Sequence, residues 1–281
     1  MRLVPTILFL SFLFNATAQT TPTAKELIGQ VLKSIESLKT ARYSLHKQER
    51  IGHKMVESDI LVKLHVNPLK VYVYSVSPNP GAEVLYVKGE NNNNVKVRTN
   101  SFPYVTLNLN IHNSLLRSNQ HHTMSDVGFN YLLNVISGNI VKNPDQFYNS
   151  LSSEGLIDYK GRQYYKLIID NKNYGYTTYQ VKKGENVSSI SEKLGVSDYM
   201  VLHLNPNLSD YNDVHPGQRI KVPNSYAKRI ILYIDKITEL PLVQLIYDEK
   251  GLFENYEMSS FVPNANLSPA EFTPEYKDYH F

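Results

Sequence analysis

Strand-forming sequence breaks off near Asn171 and returns at Arg229 with equal force, and that interruption constrains the fold more than any other feature of the chain. Before the break, Ile60, Val62, Leu64 and Val66, then Leu69, Val71 and Val73, then Val84 to Val87, then Val95, Val97 and Thr99 follow the period of two that half-buried strands require. After it, Arg229 to Asp235, Leu242 to Tyr247 and Leu252 to Met258 read as a second meander, punctuated by Leu240-Pro241 and Glu249-Lys250-Gly251. Strands this apolar need partners, and only the earlier set can supply them. Residues 19–170 and 226–281 are therefore expected to form one discontinuous antiparallel domain, with a foreign segment, 176–225, placed inside its sheet.

Helical spacing appears at three places in the expected host. Leu27, Ile28, Val31, Leu32, Ile35 and Leu38 share one face of an opening amphipathic helix. A second helix is expected from Ser125, with Ser125 or Asp126 capping it and Phe129, Leu132, Leu133, Ile136 and Ile140 on its apolar face. A third, short helix should start at Pro144. Asn67-Pro68, Asn79-Pro80-Gly81 and the run Asn91 to Asn94 fall between strands, where turn residues belong. The fold class expected is α+β, a curved antiparallel sheet wrapping helices.

The inserted segment carries a denser pattern. Tyr179-x-Val181-x-x-Gly184 ends a short strand in a tight turn. Val187, Ile190, Ser191 and Leu194 then form a helical face closed by Gly195, and Ser197 or Asp198 opens a second helix with Val201, Leu202 and Leu204 inward. Pro216-Gly217-Gln218-x-Ile220-x-Val222-Pro223 returns as a strand expected beside Gln180 to Lys182. With its Asn205 near the end of the second helix, this pattern resembles the LysM module, a βααβ unit. The resemblance implies binding of N-acetylglucosamine glycans, peptidoglycan or chitin, in a shallow groove between two loops. Carried over residue by residue, the candidate glycan-binding residues are Gly184, Glu185, Asn186, Val187, Asn205, Pro206, Asn207, Val214, His215, Pro216 and Gly217. Glu185-Asn186-Val187 stands where Asp-Thr-Leu is common in the family. Tyr179, Val181, Ile190, Ile220 and Val222 are better read as core than as ligand contacts. Paired first and last strands would bring the ends of the unit together, which lets it sit in a hairpin without prising its host apart.

The host is similar to the outer-membrane lipoprotein carrier (LolA-like) superfamily. The similarity rests on the opening helix, the long meander, the segment Pro80 to Val87, the closing run Tyr233 to Gly251 and the stretch Asn264 to Phe272. It implies a half-barrel curved around helices, whose concave side is either filled by those helices or left open for an acyl chain. Together the two resemblances imply a non-enzymatic exported protein whose LysM unit tethers a carrier-like domain to peptidoglycan, with, as an alternative, a periplasmic carrier of lipid or lipoprotein whose LysM unit serves as a protein contact.

The first eighteen residues read as a cleavable signal peptide: Arg2, an apolar run from Leu3 to Phe14, and the small-x-small triplet Ala16-Thr17-Ala18. No later run reaches the length of a transmembrane helix, so a periplasmic or secreted location is expected. Zero cysteines exclude a thiol nucleophile, a disulfide framework, a thiolate metal site and a lipid-anchor cysteine. A net charge of +3 gives no footprint for nucleic acid. The 21 tyrosines fit sheet packing better than a stacking platform. No Gly-x-Ser-x-Gly, His-Glu-x-x-His or phosphate-cradling loop occurs, and Glu36-Ser37 lies on the polar side of a helix without the rest of a transglycosylase motif. His121-His122 reads as a solvated loop pair rather than a zinc site. No residue is assigned a catalytic or metal role, and no cofactor is expected; two carboxylates suffice for glycoside hydrolysis, which keeps a wall hydrolase among the alternatives.

Overall fold

The computed structural model describes residues 21–281, and the expected signal peptide lies outside them. Helix α1 (Ala24–Ser37) opens on a reciprocal cap in which the Glu26 amide donates to Thr23 Oγ1 at 3.2 Å and the Thr23 amide donates to Glu26 Oε2 at 2.7 Å. Six strands follow as a meander: β1 (Thr40–Ile51), β2 (Lys54–His65), β3 (Lys70–Ser77), β4 (Glu83–Val87), β5 (Asn94–Arg98) and β6 (Thr106–Asn110). Three helices, α2 (Ser114–Arg117), α3 (Asn130–Lys142) and α4 (Pro144–Asn149), lead to the hairpin β7 (Leu151–Tyr159) and β8 (Arg162–Asp170). The inserted segment contributes β9 (Tyr176–Gln180), α5 (Val187–Leu194), α6 (Asp198–Leu204) and β10 (Arg219–Pro223). The chain closes with β11 (Arg229–Asp235), β12 (Pro241–Asp248) and β13 (Gly251–Pro263).

All host strands join one antiparallel sheet in the order β6-β5-β4-β3-β2-β1-β13-β12-β11-β8-β7. The sheet is curved and unclosed, with β6 and β7 as free edges. The seam between the two meanders is β1 against β13, in register from Ala41↔Pro263 to Glu49↔Glu254 with one bulge near Tyr43. Strand β1 has no counterpart among the sequence-derived strands, because Arg42, His46, Lys47, Gln48 and Arg50 mask its alternation. Edge strands β6 and β7 lack one for a related reason: each is half polar and short of β-branched residues.

Buried residues of α1 (Leu27, Ile28, Val31, Ile35) and of α3 (Leu132, Val135, Ile136) join Val62, Leu64, Val71, Leu167, Leu232 and Phe253 of the sheet in one core. The helices thus pack on one face of the sheet. Helix α3 starts at Asn130, five residues after the expected Ser125, because Thr123 and Asp126 instead cap a separate 3-10 turn. The opposite face is partly covered by the C-terminal tail, where Phe272 packs with Tyr72, Leu85 and Val87 and the rings of Tyr279 and Tyr72 stack at 3.7 Å.

Strands β8 and β11 are hydrogen-bonded neighbours, Asp170 facing Arg229, so the insertion leaves and re-enters the sheet at adjacent positions. Its neck is tied by backbone bonds: Asn171 N–H to Lys228 O at 2.8 Å and Asn224 N–H to Gly175 O at 2.9 Å. Strand β10 pairs with Tyr176–Gln180, from Pro223↔Tyr176 to Arg219↔Gln180, overlapping the expected Gln180 to Lys182 at Gln180, and the Val181 amide continues across to Gln218 O at 2.9 Å. Val181 lies just past this ladder, and its buried side chain joins Val187, Ile190, Val201, Ile220 and Val222 in a core of the insertion's own.

Candidate functional site

The loop after β9 turns at Gly184, whose φ of 83° suits glycine and strains other residues. Glu185 accepts from the Lys182 amide at 2.9 Å, from Tyr179 Oη at 2.8 Å and from Lys193 Nζ at 3.0 Å. That backbone bond, with Lys193 and Tyr179 behind it, lowers the carboxyl to about 2. Asn186 caps α5, accepting from the Ser189 amide at 2.8 Å and reaching Asn212 Oδ1 at 3.2 Å. The Val187 amide donates to Tyr211 O at 2.8 Å and the Gly217 amide to Val181 O at 2.8 Å. These bonds bring the 184–187 loop and the 211–217 loop together and fix their relative position.

Three candidates face inward. Val187 is fully buried, Val214 is core, and Asn205 is a pin: its Nδ2 donates to Val201 O at 2.7 Å and Lys221 O at 2.8 Å, while its Oδ1 accepts from the Lys221 amide at 2.8 Å. Gly184, Pro206, Asn207, His215, Pro216 and Gly217 are exposed, and Glu185 and Asn186 half-buried. The surface offered to a ligand is therefore mostly backbone and ring edge on a frame held from beneath. Such a surface suits an acetamido group and the apolar face of a sugar.

Below the insertion lies a polar cluster that sequence reasoning missed. Arg117 of α2 donates from two nitrogens to Asp198 at the start of α6, at 2.8 and 3.1 Å, and its guanidinium lies 4.1 Å from the Tyr211 ring centre. Tyr199 of α6 accepts from the Gly52 amide at 2.8 Å and stacks on His121 at 4.3 Å. His121, expected in solvent, is 1% exposed. Its Nδ1 donates to Glu254 at 2.7 Å, its Nε2 lies 3.0 Å from Arg50 O, and Phe253 stacks on its other face at 4.2 Å.

Glu254 also accepts from Tyr226 Oη at 2.7 Å and lies 3.3 Å from His122 Nε2. Burial opposes ionisation of that carboxyl, yet the His122 and His121 imidazoles hold it far below the ordinary carboxylate range. Burial likewise opposes the charge on His122, but Glu254, with Asp126 and Glu49 further off, raises that ring to about 9. Glu49 takes Tyr256 Oη at 2.6 Å and the His121 amide at 3.1 Å. Nothing local in the sequence signals this set: its members come from β1, the segment after α2, the insertion's exit and β13. Among the described residues no group of three or more His, Asp or Glu side chains is placed to hold a metal.

An open antiparallel sheet packed on its inner helices, bearing a two-stranded, two-helix LysM unit between adjacent strands, defines the class of molecule. The LysM domain model matches residues 179–223. The chain belongs to the family described as a protein of unknown function, DUF1571, whose model matches residues 39–184. A curated relative, an endolysin of Bacillus phage B103, is 39% identical over 56 residues, 20% of this chain and 21% of the endolysin. The chain thus spans about a fifth of that relative's length.

Solved structures similar to the chain include three from bacteria. An uncharacterised conserved protein from Thermus thermophilus has TM-score 0.41 and 13% identity, over 91% of this chain and 95% of the other. Lipoprotein LppX from Mycobacterium tuberculosis has TM-score 0.40 and 13% identity, over 87% and 98%. A LolA superfamily protein from Nitrosomonas europaea has TM-score 0.34 and 10% identity, over 91% and 99%. No helix among the described residues is long and apolar enough to cross a membrane.

Proposed function

We propose that this is an exported, non-catalytic protein whose LysM module, at about residues 176–225, binds N-acetylglucosamine glycan of peptidoglycan and retains the discontinuous sheet domain, 19–170 with 226–281, beside the cell wall. The observation that carries the reading is the LysM match over 179–223 together with the bonds that hold the 184–187 and 211–217 loops against each other. The glycan contacts proposed are the exposed backbone and side chains of Gly184 to Asn186 and of Pro206, Asn207 and His215 to Gly217. Val187, Asn205 and Val214 support that surface from inside.

Burial of α1 and α3 against one face of the sheet fills most of that side, and the opening left between α3, α4 and strands β8 and β11 is rimmed by Asn and Lys side chains, which favours a polar or charged ligand over an acyl chain. The endolysin relative matches over too short a stretch to lend this chain a hydrolase activity. Co-sedimentation with purified insoluble peptidoglycan tests the proposal. The chain lacking its signal peptide should pellet with the wall, and replacing the Gly184–Val187 loop should release it. Retention that survives the replacement contradicts the assignment of the loop.

A further inference from the structure

A groove of about 680 Å³ runs along the seam where the insertion's neck meets the host. Its volume falls within the range of small-ligand sites, roughly 300–1,000 Å³. One wall is the end of α3 and α4; the other is the neck itself, 171–173 and 224–227. The floor is apolar, with Ile136, Phe147, Ile169 and Ile230 at its base.

The rim divides into residues that hold it and residues left over. Asn143 caps α4 by accepting from the Gln146 amide at 3.1 Å, Asn171 donates to Ser225 Oγ at 2.6 Å, and Asn224 donates to Asn173 O at 2.7 Å and accepts from the Gly175 amide at 3.1 Å. These three amides stiffen the walls. The side chains of Asn149 and Asn173 are exposed and make no hydrogen bond to another described residue. Lys142 and Lys172, also exposed on the rim, make no ion pair among the described residues, whereas the rim's carboxylate, Asp170, is paired with Arg229 at 2.7 Å. The groove therefore offers an apolar floor, free amides and uncompensated positive charge.

We infer that this groove takes a short peptide bearing free carboxylates, its backbone bonded by Asn149 and Asn173, its carboxylates held by Lys142 and Lys172, and its aliphatic side chains on the floor. Amide groups pair with peptide N–H and C=O, and ammonium groups with carboxylate. The inference rests on the glycan reading for the source of that peptide, the stem branching from the strand that the LysM unit grips. The groove flanks the neck end of the β9–β10 pair, Tyr176↔Pro223, and the glycan loops follow its other end, Gln180↔Arg219, so a peptidoglycan fragment engaging sugar and peptide together spans at least the rise of five strand residues, roughly 17 Å.

Isothermal titration of the chain lacking its signal peptide with a disaccharide-tripeptide from peptidoglycan and with chitotetraose, which has no peptide, tests this. The double substitution Lys142→Glu with Lys172→Glu should weaken the disaccharide-tripeptide by about tenfold or more, since two charge-assisted contacts are reversed, and leave chitotetraose unchanged. Asn149→Ala with Asn173→Ala, neutral and exposed, should weaken it in the same direction with circular dichroism unaltered. Equal disaccharide-tripeptide affinity in wild type and both variants overturns the inference. Lysine-dependent binding of the disaccharide-tripeptide with no binding of chitotetraose would overturn the glycan reading and leave the peptide groove standing; binding of neither probe to wild type would overturn both.

Discussion

The insertion fills its core from within one short segment, Val181 to Val222, whereas just beneath it Glu49 and Tyr256 meet at 2.6 Å across 207 positions of sequence. In the first region most of the core follows from local spacing, a turn glycine, a helical face, a capping serine and a closing strand, while Met200 of α6 is buried in the host core instead. In the second, charged groups are buried and ionised because partners from distant strands arrive to satisfy them. A motif can therefore announce the LysM unit, while the junction that positions it stays silent until the sheet is assembled.

Substitution of Glu254 should produce the largest effect on that contrast. Glu254→Gln leaves His122 without its buried counter-charge and His121 Nδ1 without its carboxylate acceptor, and loss of one member of such a buried pair costs about 3–5 kcal/mol. Urea denaturation should show that loss in the host transition, with the midpoint falling and the slope unchanged. An unaltered midpoint would mean that the cluster is solvated.

The same cluster sets a pH profile. Glu254, depressed below its ordinary value near 4.5, stabilises the fold above that value and loses the contribution as pH falls. His122, raised to about 9, stabilises fully below its ordinary 6.5 and loses the contribution as pH rises from there through about 9. Host stability should accordingly be highest from about pH 5 to 6.5 and decline on both sides, as thermal melts across pH would register. Glu254→Gln should flatten both limbs.

Within the insertion, Asn205→Ala strips buried partners from Val201 O, Lys221 O and the Lys221 amide. A cost of about 2–3 kcal/mol is expected. Hydrogen exchange should quicken in β9 and β10 while β11 to β13 keep their protection. Equal acceleration in both regions would show that the two cores unfold as one.

Arg117→Ala should cost less, about 1–2 kcal/mol, since the carboxylate left behind, Asp198, reaches solvent and keeps Ser188 Oγ as a donor. A double-mutant cycle with Asp198→Asn measures the coupling, and limited proteolysis at the neck measures whether the unit has come loose from the host. The smallest effect belongs to Glu185, at the rim of the LysM surface. Its carboxyl is lowered to about 2, so its hold on Lys182, Tyr179 and Lys193 is complete above its ordinary value near 4.5 and fades as pH falls toward 2. Nuclear magnetic resonance signals of the Lys182 amide should move in that window and stay fixed in Glu185→Gln.

Legibility in the sequence follows the same divide. Gly195 at the end of α5, Ser197 ahead of α6 and Pro144 at the start of α4 all act within a few residues, and each stands where its spacing placed it. Strand β1 was illegible because Glu49 and Arg50 look like solvent residues until Tyr256 and Asp248 reach them from β13 and β12. His121-His122 reads as a loop pair in the sequence because its carboxylate, Glu254, lies in a strand 133 positions away. The tail that lays Phe272 and Tyr279 on the outer face has no periodicity of its own, and its partners Tyr72 and Leu85 point outward from strands whose other side makes the core. Of the candidate glycan residues, the motif gave the two loops but could not separate Val187, Asn205 and Val214, which support the surface, from Asn207, His215 and their exposed neighbours, which form it.

Whether the LysM surface reads sugar is tested most directly by titrating isotopically labelled protein with N-acetylglucosamine oligomers and following amide resonances. Shifts confined to 184–186, 206–207 and 215–217, saturating with oligomer length and leaving the host strands unmoved, are the expected result. No shift in those loops at saturating chitotetraose, or shifts centred on the host sheet, would contradict the assignment.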